Sequence, residues 1–115
     1  MKKLLEFSSN NFKEIEQLYI HDSELKKIMV DYANKEARVN LLSPQINELP
    51  QKPVEFIFQG VTDVHIQMKE PWGSGIYLHS FSVEKTNSLI KTTFELNSGD
   101  VITCISELIK TDIPY

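Results

Sequence analysis

Three histidines are the side chains of this 115-residue sequence best suited to acid–base chemistry or metal binding, because imidazole changes its charge near neutral pH. His65 and His79 lie in two segments that we expect to be neighbouring strands of one hairpin. If Ile66 pairs with Leu78, the two imidazoles face each other, whereas a shift of one residue turns His79 to the opposite face. The sequence leaves both registers open. A zinc site needs three or four protein ligands, and no third ligand lies at a suitable spacing, so we predict no metal site.

The run His21-Asp22-Ser23 contains the three residue types of a serine-hydrolase triad. The side chains of a triad must converge in space, which neighbours in sequence rarely do, and the chain has no G-x-S-x-G motif to present a nucleophile. We favour a turn in which Asp22 or Ser23 binds backbone N–H groups. The alternative, a polar cluster beside a pocket, keeps His21 and Asp22 as candidate binding residues.

The remaining reactive groups form no catalytic set. Cys104 lies within a predicted strand, where a buried thiol behaves as a small apolar group. The spacing of Glu55 and Glu95 gives no reason to place them within the roughly 5–10 Å that two-carboxylate hydrolysis requires. Gly73-Ser74-Gly75 lacks the lysine of a phosphate-binding loop. We therefore predict a protein that is not an enzyme, with no catalytic residue and no cofactor.

The segment Glu70-Pro71-Trp72-Gly73-Ser74-Gly75 places the only tryptophan of the chain in a loop. An indole is large, flat and amphipathic, so a tryptophan in a loop often anchors a protein interface. On this interpretation Trp72 and Glu70 are candidate binding residues, with Tyr77 shortly after them. The alternative is that Trp72 folds back and closes one end of a barrel, where the glycines let the chain pass closely.

The charge of the chain restricts its partners. Sixteen Asp and Glu residues against twelve Lys and Arg residues give a formal charge of −4, and Arg38 is the only arginine. Proteins that bind nucleic acid usually carry a basic stripe, often with arginines that contact phosphates. The composition argues against a nucleic-acid partner and favours a basic protein, a neutral ligand or a cation.

The elements that must position these residues are mostly strands. Alternating apolar residues predict about seven of them, at 28–32, 38–42, 54–59, 64–69, 76–83, 89–96 and 101–109. Phe12, Ile15 and Leu18 recur at helical spacing and are preceded by Ser and Asn residues that can cap a helix. This pattern predicts a short helix at about 10–20. Residues 23–29 fit either a strand or a helix.

Two segments have the composition of irregular structure. Residues 43–53 contain three prolines, which cannot donate to a sheet, and we expect this longest connection to be the most mobile. Residues 111–115 form a polar tail that we expect to fray.

These elements predict an α+β, mainly β, fold in a single domain spanning residues 1–115. The short connections favour antiparallel pairing between successive strands, in a sandwich or a partly open barrel capped by the helix. No stretch reaches the roughly 18–20 apolar residues of a membrane span, and no apolar segment of a signal peptide follows Lys2 and Lys3. We therefore predict a cytoplasmic protein without a membrane partner.

Four stretches resemble small bacterial immunity proteins of polymorphic toxin systems. They are Tyr19-Ile20-His21-Asp22-Ser23-Glu24-Leu25, Phe58-Gln59-Gly60-Val61, Pro71-Trp72-Gly73 and Leu96-Asn97-Ser98-Gly99-Asp100. The similarity lies in their layout, with an H-D-S-x-L entry, a β meander and an N-S-G-D hairpin. It implies a non-enzymatic cytoplasmic protein that binds and blocks a toxin, and it assigns no functional residue.

Three functions follow from these observations. The first is a protein-binding or inhibitory module that uses the loop around Trp72. The second is a small-molecule-binding barrel or minor enzyme with polar pocket groups from His21, His65, Tyr77 and His79. The third is a homo-oligomeric subunit, such as a homodimer, joined through open sheet edges.

Overall fold

The computed structural model describes residues 4–18, 20–45, 48 and 50–112. These residues form nine strands and one 3₁₀ helix, Phe12–Gln17, which lies between the first two strands. The strands are β1 (Leu5–Phe7), β2 (Glu24–Asp31), β3 (Glu36–Leu42), β4 (Pro53–Gln59), β5 (Asp63–Ile66), β6 (Leu78–Thr86), β7 (Leu89–Leu96), β8 (Val101–Ser106) and β9 (Leu108–Thr111).

The strands form two antiparallel sheets. The five-stranded sheet has the order β1-β9-β4-β3-β2, and the four-stranded sheet has the order β5-β8-β7-β6. The apolar faces of both sheets contribute to one core. The predicted mainly β, antiparallel fold is thereby confirmed, and it is a two-sheet arrangement without closure into a barrel.

Alternation of side chains builds the core. Every second residue of β3, β4, β7 and β8 is buried, because successive side chains of a strand point to opposite faces of its sheet. Phe94 lies at the centre, with ring centroids 5.8 Å from Phe56, 6.2 Å from Phe58 and 5.2 Å from Phe81. Phe56, Phe58 and Phe94 are fully buried, and full burial of a phenylalanine contributes about 1.5–3 kcal/mol to stability.

The N-terminal segment differs from the predicted helix at about 10–20. Only Phe12–Gln17 is helical, as a 3₁₀ helix, and Leu18 has already returned to extended backbone angles. Asn11 does not cap this helix, since its side-chain oxygen accepts a hydrogen bond from the backbone N–H of Ser8 at 2.7 Å. Spacings of three and four residues fit one turn of either helix type, so the apolar pattern did not distinguish them. Tyr19 lies outside the described residues.

The described residues form nine strands, whereas about seven were predicted. β1 was not predicted, and the expected strand 101–109 is two strands, β8 and β9, that belong to different sheets. No glycine or proline interrupts residues 101–109, so this stretch reads as one strand. The buried positions change phase at Glu107, from Ile102, Cys104 and Ser106 in β8 to Ile109 and Thr111 in β9. Residues 23–29, left open between strand and helix, belong to β2 from Glu24 onward.

The two segments predicted to be irregular are described in part. Residues 46, 47, 49 and 113–115 lie outside the described residues. The ends of the 43–53 connection are joined, because Ser43 N–H donates to the Lys52 carbonyl at 2.8 Å and Lys52 N–H donates to Ser43 Oγ at 2.9 Å. Thr111 is paired in β9 and buried. No helix in the described ranges has the length and apolar character needed to cross a bilayer.

Candidate functional site

The candidate site is the loop that joins β5 to β6, residues 67–77, which we call the Trp72 loop. It lies against the β7–β8 turn, residues 97–100, at one end of the sandwich. The turn consists of Asn, Ser, Gly and Asp, and the loop contains Pro71 followed by Gly73-Ser74-Gly75. These residue types favour turns, because of their backbone freedom, the fixed φ of proline or the local hydrogen bonds of short polar side chains.

Asp100 fixes the first half of the Trp72 loop. The residue is 3% exposed, and its carboxylate accepts hydrogen bonds from the backbone N–H of Lys69 at 2.7 Å and that of Glu70 at 3.0 Å. The Ser98 hydroxyl donates a third hydrogen bond at 2.9 Å. Burial acts to raise the pKa of Asp100, but these hydrogen bonds and the charge of Lys69 outweigh it and leave the pKa below its ordinary value.

Further hydrogen bonds attach the rest of the loop to the same turn. Trp72 N–H donates to the Ser98 carbonyl at 2.9 Å, Val101 N–H donates to Gln67 Oε1 at 3.1 Å, and Tyr77 N–H donates to Asn97 Oδ1 at 3.1 Å. Groups from the start, middle and end of the loop are thus bound to the turn or to Val101, the first residue of β8. We infer that the loop has one preferred conformation.

Gly99 provides the space in which Trp72 lies. A Cβ atom at this position would lie 2.8 Å from Trp72 Cδ2 and 2.8 Å from Pro71 Cγ, closer than nonbonded carbons approach. Gly99 also has φ +90°, a backbone conformation that favours glycine. The indole therefore rests directly against the backbone of the turn.

The Trp72 side chain is 69% exposed even though its backbone is held. The alternative that Trp72 folds back to close one end of a barrel is therefore wrong. The same loop carries further exposed apolar side chains, which are Met68, Ile76 and Tyr77. Large exposed apolar groups grouped in one segment are typical of interaction surfaces.

The structure separates His65 from His79 and brings His79 close to His21. His65 pairs with Thr103, and β5 and β6 are the opposite edges of the four-stranded sheet. Neither register considered for His65 and His79 therefore occurs. Instead, the ring of His79 lies 6.5 Å from that of His21, and His21 Nε2 lies 3.5 Å from Asp22 Oδ1.

Backbone pairing explains why His21 and His79 are close. Asp22 N–H donates to the Leu78 carbonyl at 3.0 Å, and Leu78 N–H donates to the Ser23 carbonyl at 2.9 Å. A bridge between Glu24 and Tyr77 continues this contact. The structure thus places His21, Asp22 and His79 beside the end of the Trp72 loop, and it places His65 on the far edge of the sheet.

The groups considered for catalysis are not arranged for it. Burial, with a smaller effect of the Asp63 charge, raises the pKa of the Cys104 thiol to about 12, so it carries no thiolate at neutral pH. Glu55 pairs with Arg38 in the five-stranded sheet at 3.1 Å, whereas Glu95 accepts a hydrogen bond from Ser80 in the other sheet. Among the described residues, no group of three His, Cys, Asp or Glu side chains is arranged to hold a metal ion.

Glu70, Trp72 and Tyr77 were candidates from the sequence, whereas the groups that position their loop were not. Asp100 was assigned only to a hairpin turn, and Met68 only to a strand. The run Asn97-Ser98-Gly99-Asp100 carried the available signal, because Ser and Asp at such spacing bind nearby backbone N–H groups. Local sequence does not show that Asp100 accepts hydrogen bonds from a loop about 30 residues away.

Comparison of the chain with known proteins adds no relative. No protein-family model matches it, and no curated protein matches it significantly. The function is therefore argued from the site.

Proposed function

We propose that the protein is a binding module whose partner is another protein and whose contact surface is the Trp72 loop. The observation that carries the proposal is that Trp72 is 69% exposed on a loop whose backbone is fixed by Asp100. Tryptophan is among the residues that contribute most to binding when they enter a partner's pocket. A loop that is already ordered loses less conformational entropy on binding, which favours affinity.

The surroundings of the loop fit the composition of a protein interface. Exposed apolar side chains of Met68, Trp72 and Ile76 supply area that a partner can bury. Exposed polar groups at His21, Asp22 and His79 lie beside the loop and supply the polar rim that such interfaces carry.

Neutralisation of a toxin is the specific form of this function that the resemblance to immunity proteins favours. The N-S-G-D hairpin, one of the stretches that carry the resemblance, is also the turn that holds the Trp72 loop. On this proposal the protein acts in the cytoplasm, and it inhibits by covering a surface of its partner rather than by chemistry.

The small-molecule pocket predicted from His21, His65, Tyr77 and His79 is not supported, because His65 lies on a different sheet edge from His79. A homo-oligomeric role remains a separate prediction, which light scattering at several concentrations tests.

The test of the proposed function uses the affinity-tagged protein and its Trp72→Ala variant. A stoichiometric partner captured from the native lysate is purified, and its affinity for both proteins is measured by calorimetry. We expect Trp72→Ala to weaken binding by about 30-fold or more, corresponding to roughly 2 kcal/mol for a tryptophan at an interface centre.

The matched control is Met29→Ala, which removes another exposed apolar side chain from β2 and should change the affinity less than about twofold. Circular dichroism confirms that both variants are folded. A partner that binds Trp72→Ala as tightly as the unchanged protein would contradict the proposed surface.

A further inference from the structure

A groove lies at the other end of the sandwich from the Trp72 loop. β8 runs from Val101 beside the loop to Ser106 beside the groove, so the two surfaces are roughly 20 Å apart at the rise of a strand. The walls of the groove are the β2–β3 hairpin and the β4–β5 connection, and its volume is about 700 Å³. Val61 N–H donates to the Lys35 carbonyl at 2.9 Å, which joins the two walls.

The floor of the groove is apolar. Val30, Val61 and Val64 line it, and Val30 is 50% exposed although valine is favoured in the interior. Tyr32, also in the lining, is 81% exposed. The groove therefore offers aliphatic surface and an aromatic ring that the protein itself leaves uncovered.

The lining of the groove also contains carboxylates. The lining includes Asp31, Glu36, Asp63 and Glu107 against the single ammonium of Lys35. These four negative charges and one positive charge leave an excess of three negative charges, while the whole chain has a formal charge of −4. An excess of this size at one groove favours a positively charged ligand there.

Two of the four carboxylates are already engaged. Asp31 accepts hydrogen bonds from the backbone N–H and side-chain amide of Asn34 at 3.1 and 2.8 Å, and Glu36 pairs with Arg38 at 3.4 Å. By contrast, no ion pair or hydrogen bond within the described ranges involves the side chain of Asp63 or Glu107. The Glu107 carboxyl group lies over Gly60, where a Cβ atom would be 2.7 Å from its Cδ.

One cation of the protein itself already lies in the lining of the groove. The Lys35 ammonium lies 3.8 Å from the centroid of the Tyr32 ring, which is the geometry of a cation–π interaction. The aliphatic stem of a lysine or arginine can pack on apolar surface while its charged end reaches an acceptor. The valine side chains of the groove and the carboxylates of Asp63 and Glu107 match that combination.

We propose that this groove binds a lysine or arginine side chain from an extended basic segment of a partner protein. Its apolar stem packs on Val30, Val61 and Val64, and its charged end binds the carboxylates of Asp63 and Glu107. Lys35 opposes this binding, because its ammonium is a positive charge in the lining of the same groove. This site is separate from the Trp72 loop and does not depend on the function proposed for it.

The experiment is an NMR titration of the ¹⁵N-labelled protein at low ionic strength. The probe is the acetylated, amidated peptide Gly-Lys-Val-Lys-Gly, and its neutral counterpart is Gly-Gln-Val-Gln-Gly. We expect the lysine peptide to shift the amide signals of residues 31–36 and 60–64, and we expect the glutamine peptide to leave them unchanged. Trp72→Ala should not alter the titration.

Variants separate a specific site from general attraction of opposite charges. Asp63→Asn with Glu107→Gln should weaken binding at least about fivefold, because the charge-assisted hydrogen bonds are lost. Glu84→Gln with Glu95→Gln removes the same charge from β6 and β7 and should change affinity less than about twofold. Lys35→Gln should strengthen binding about twofold or more by removing the positive charge from the groove, while Lys85→Gln serves as its control.

Three results would overturn the proposal. They are equal binding of the glutamine peptide, an equal loss of affinity in the two double variants, and shifted amides that lie outside the groove. The dispersion of the amide spectrum shows in each case that the variant is folded, so a loss of binding is attributable to the removed groups.

Discussion

At the scale of single residues, Asp100 shows how one buried carboxylate organises a surface that it does not itself form. Its oxygens satisfy two backbone N–H groups of the Trp72 loop and the hydroxyl of Ser98. Hydrogen bonds to an ionised acceptor are stronger than those between neutral groups. The exposed indole is therefore held in place by a group on a different hairpin, and the order of the loop depends on the charge of Asp100.

This dependence predicts a pH effect at Trp72. The pKa of Asp100 lies below its ordinary value of 3.8, so the stabilisation that the ionised carboxylate provides is complete above about pH 4 and is lost as the pH falls through the lowered pKa. Trp72 is the only tryptophan, and its fluorescence anisotropy reports on the loop. We expect the anisotropy to fall below about pH 4 while circular dichroism still shows a folded sandwich.

The control for this prediction is Asp100→Asn, which should have low anisotropy at neutral pH and no further change on acidification. The matched variant is Asp31→Asn. Asp31 also accepts hydrogen bonds from a nearby turn, but it lies at the end of β2 that is far from the Trp72 loop. Its anisotropy should follow that of the unchanged protein. An acid transition that persists in Asp100→Asn would assign the effect to another group.

At the scale of elements, the β7–β8 turn and the Trp72 loop form one unit because Gly99 lets them approach. Gly73, in the loop, has φ +104° and open space within 4 Å of the point where a Cβ atom would lie, whereas Gly99 has φ +90° with Trp72 and Pro71 in contact. The two glycines share an unusual backbone conformation and differ in their surroundings. Comparing them separates backbone strain from the loss of close packing.

We expect Gly73→Ala to lower the free energy of unfolding by about 1 kcal/mol, through strain at positive φ. Gly99→Ala should lower it by about 2–3 kcal/mol, because displacement of Trp72 adds to a similar strain. Urea unfolding followed by circular dichroism measures both values. Equal losses in the two variants would show that the indole contributes nothing to the packing of the turn.

The elements also show which structural features the sequence predicts and which it does not. Strands such as β3, β4 and β7 were predicted because side-chain alternation and burial are properties of a single strand. The adjacency of His65 and His79 was wrong because it assumed that successive strands pair, whereas β8 and β7 lie between β5 and β6. The exposure of Trp72 was equally undetermined, since it depends on contacts with Asp100 and Gly99 that are distant in sequence.

At the scale of the whole molecule, stability and recognition depend on different parts of the sandwich. The buried rings of Phe56, Phe58 and Phe94 join the two sheets at the centre, while the Trp72 loop and the acidic groove lie at opposite ends. A domain with a net stability of about 5–15 kcal/mol tolerates exposed apolar groups at its ends only because its centre is well packed. The function proposed for Trp72 therefore requires that this residue contribute little to global stability.

Deletion of two aromatic side chains tests this separation. Phe94→Ala should lower the free energy of unfolding by about 3–5 kcal/mol, because it leaves a cavity among three other rings. If this variant does not fold, Phe94→Leu is measured instead and should show a smaller loss. Trp72→Ala should cost less than about 1 kcal/mol, as expected for an exposed position. Both are measured by urea unfolding under the same conditions. A loss at Trp72 comparable with that at Phe94 would mean that the indole is part of the core, and the loop could not then be the surface that a partner contacts.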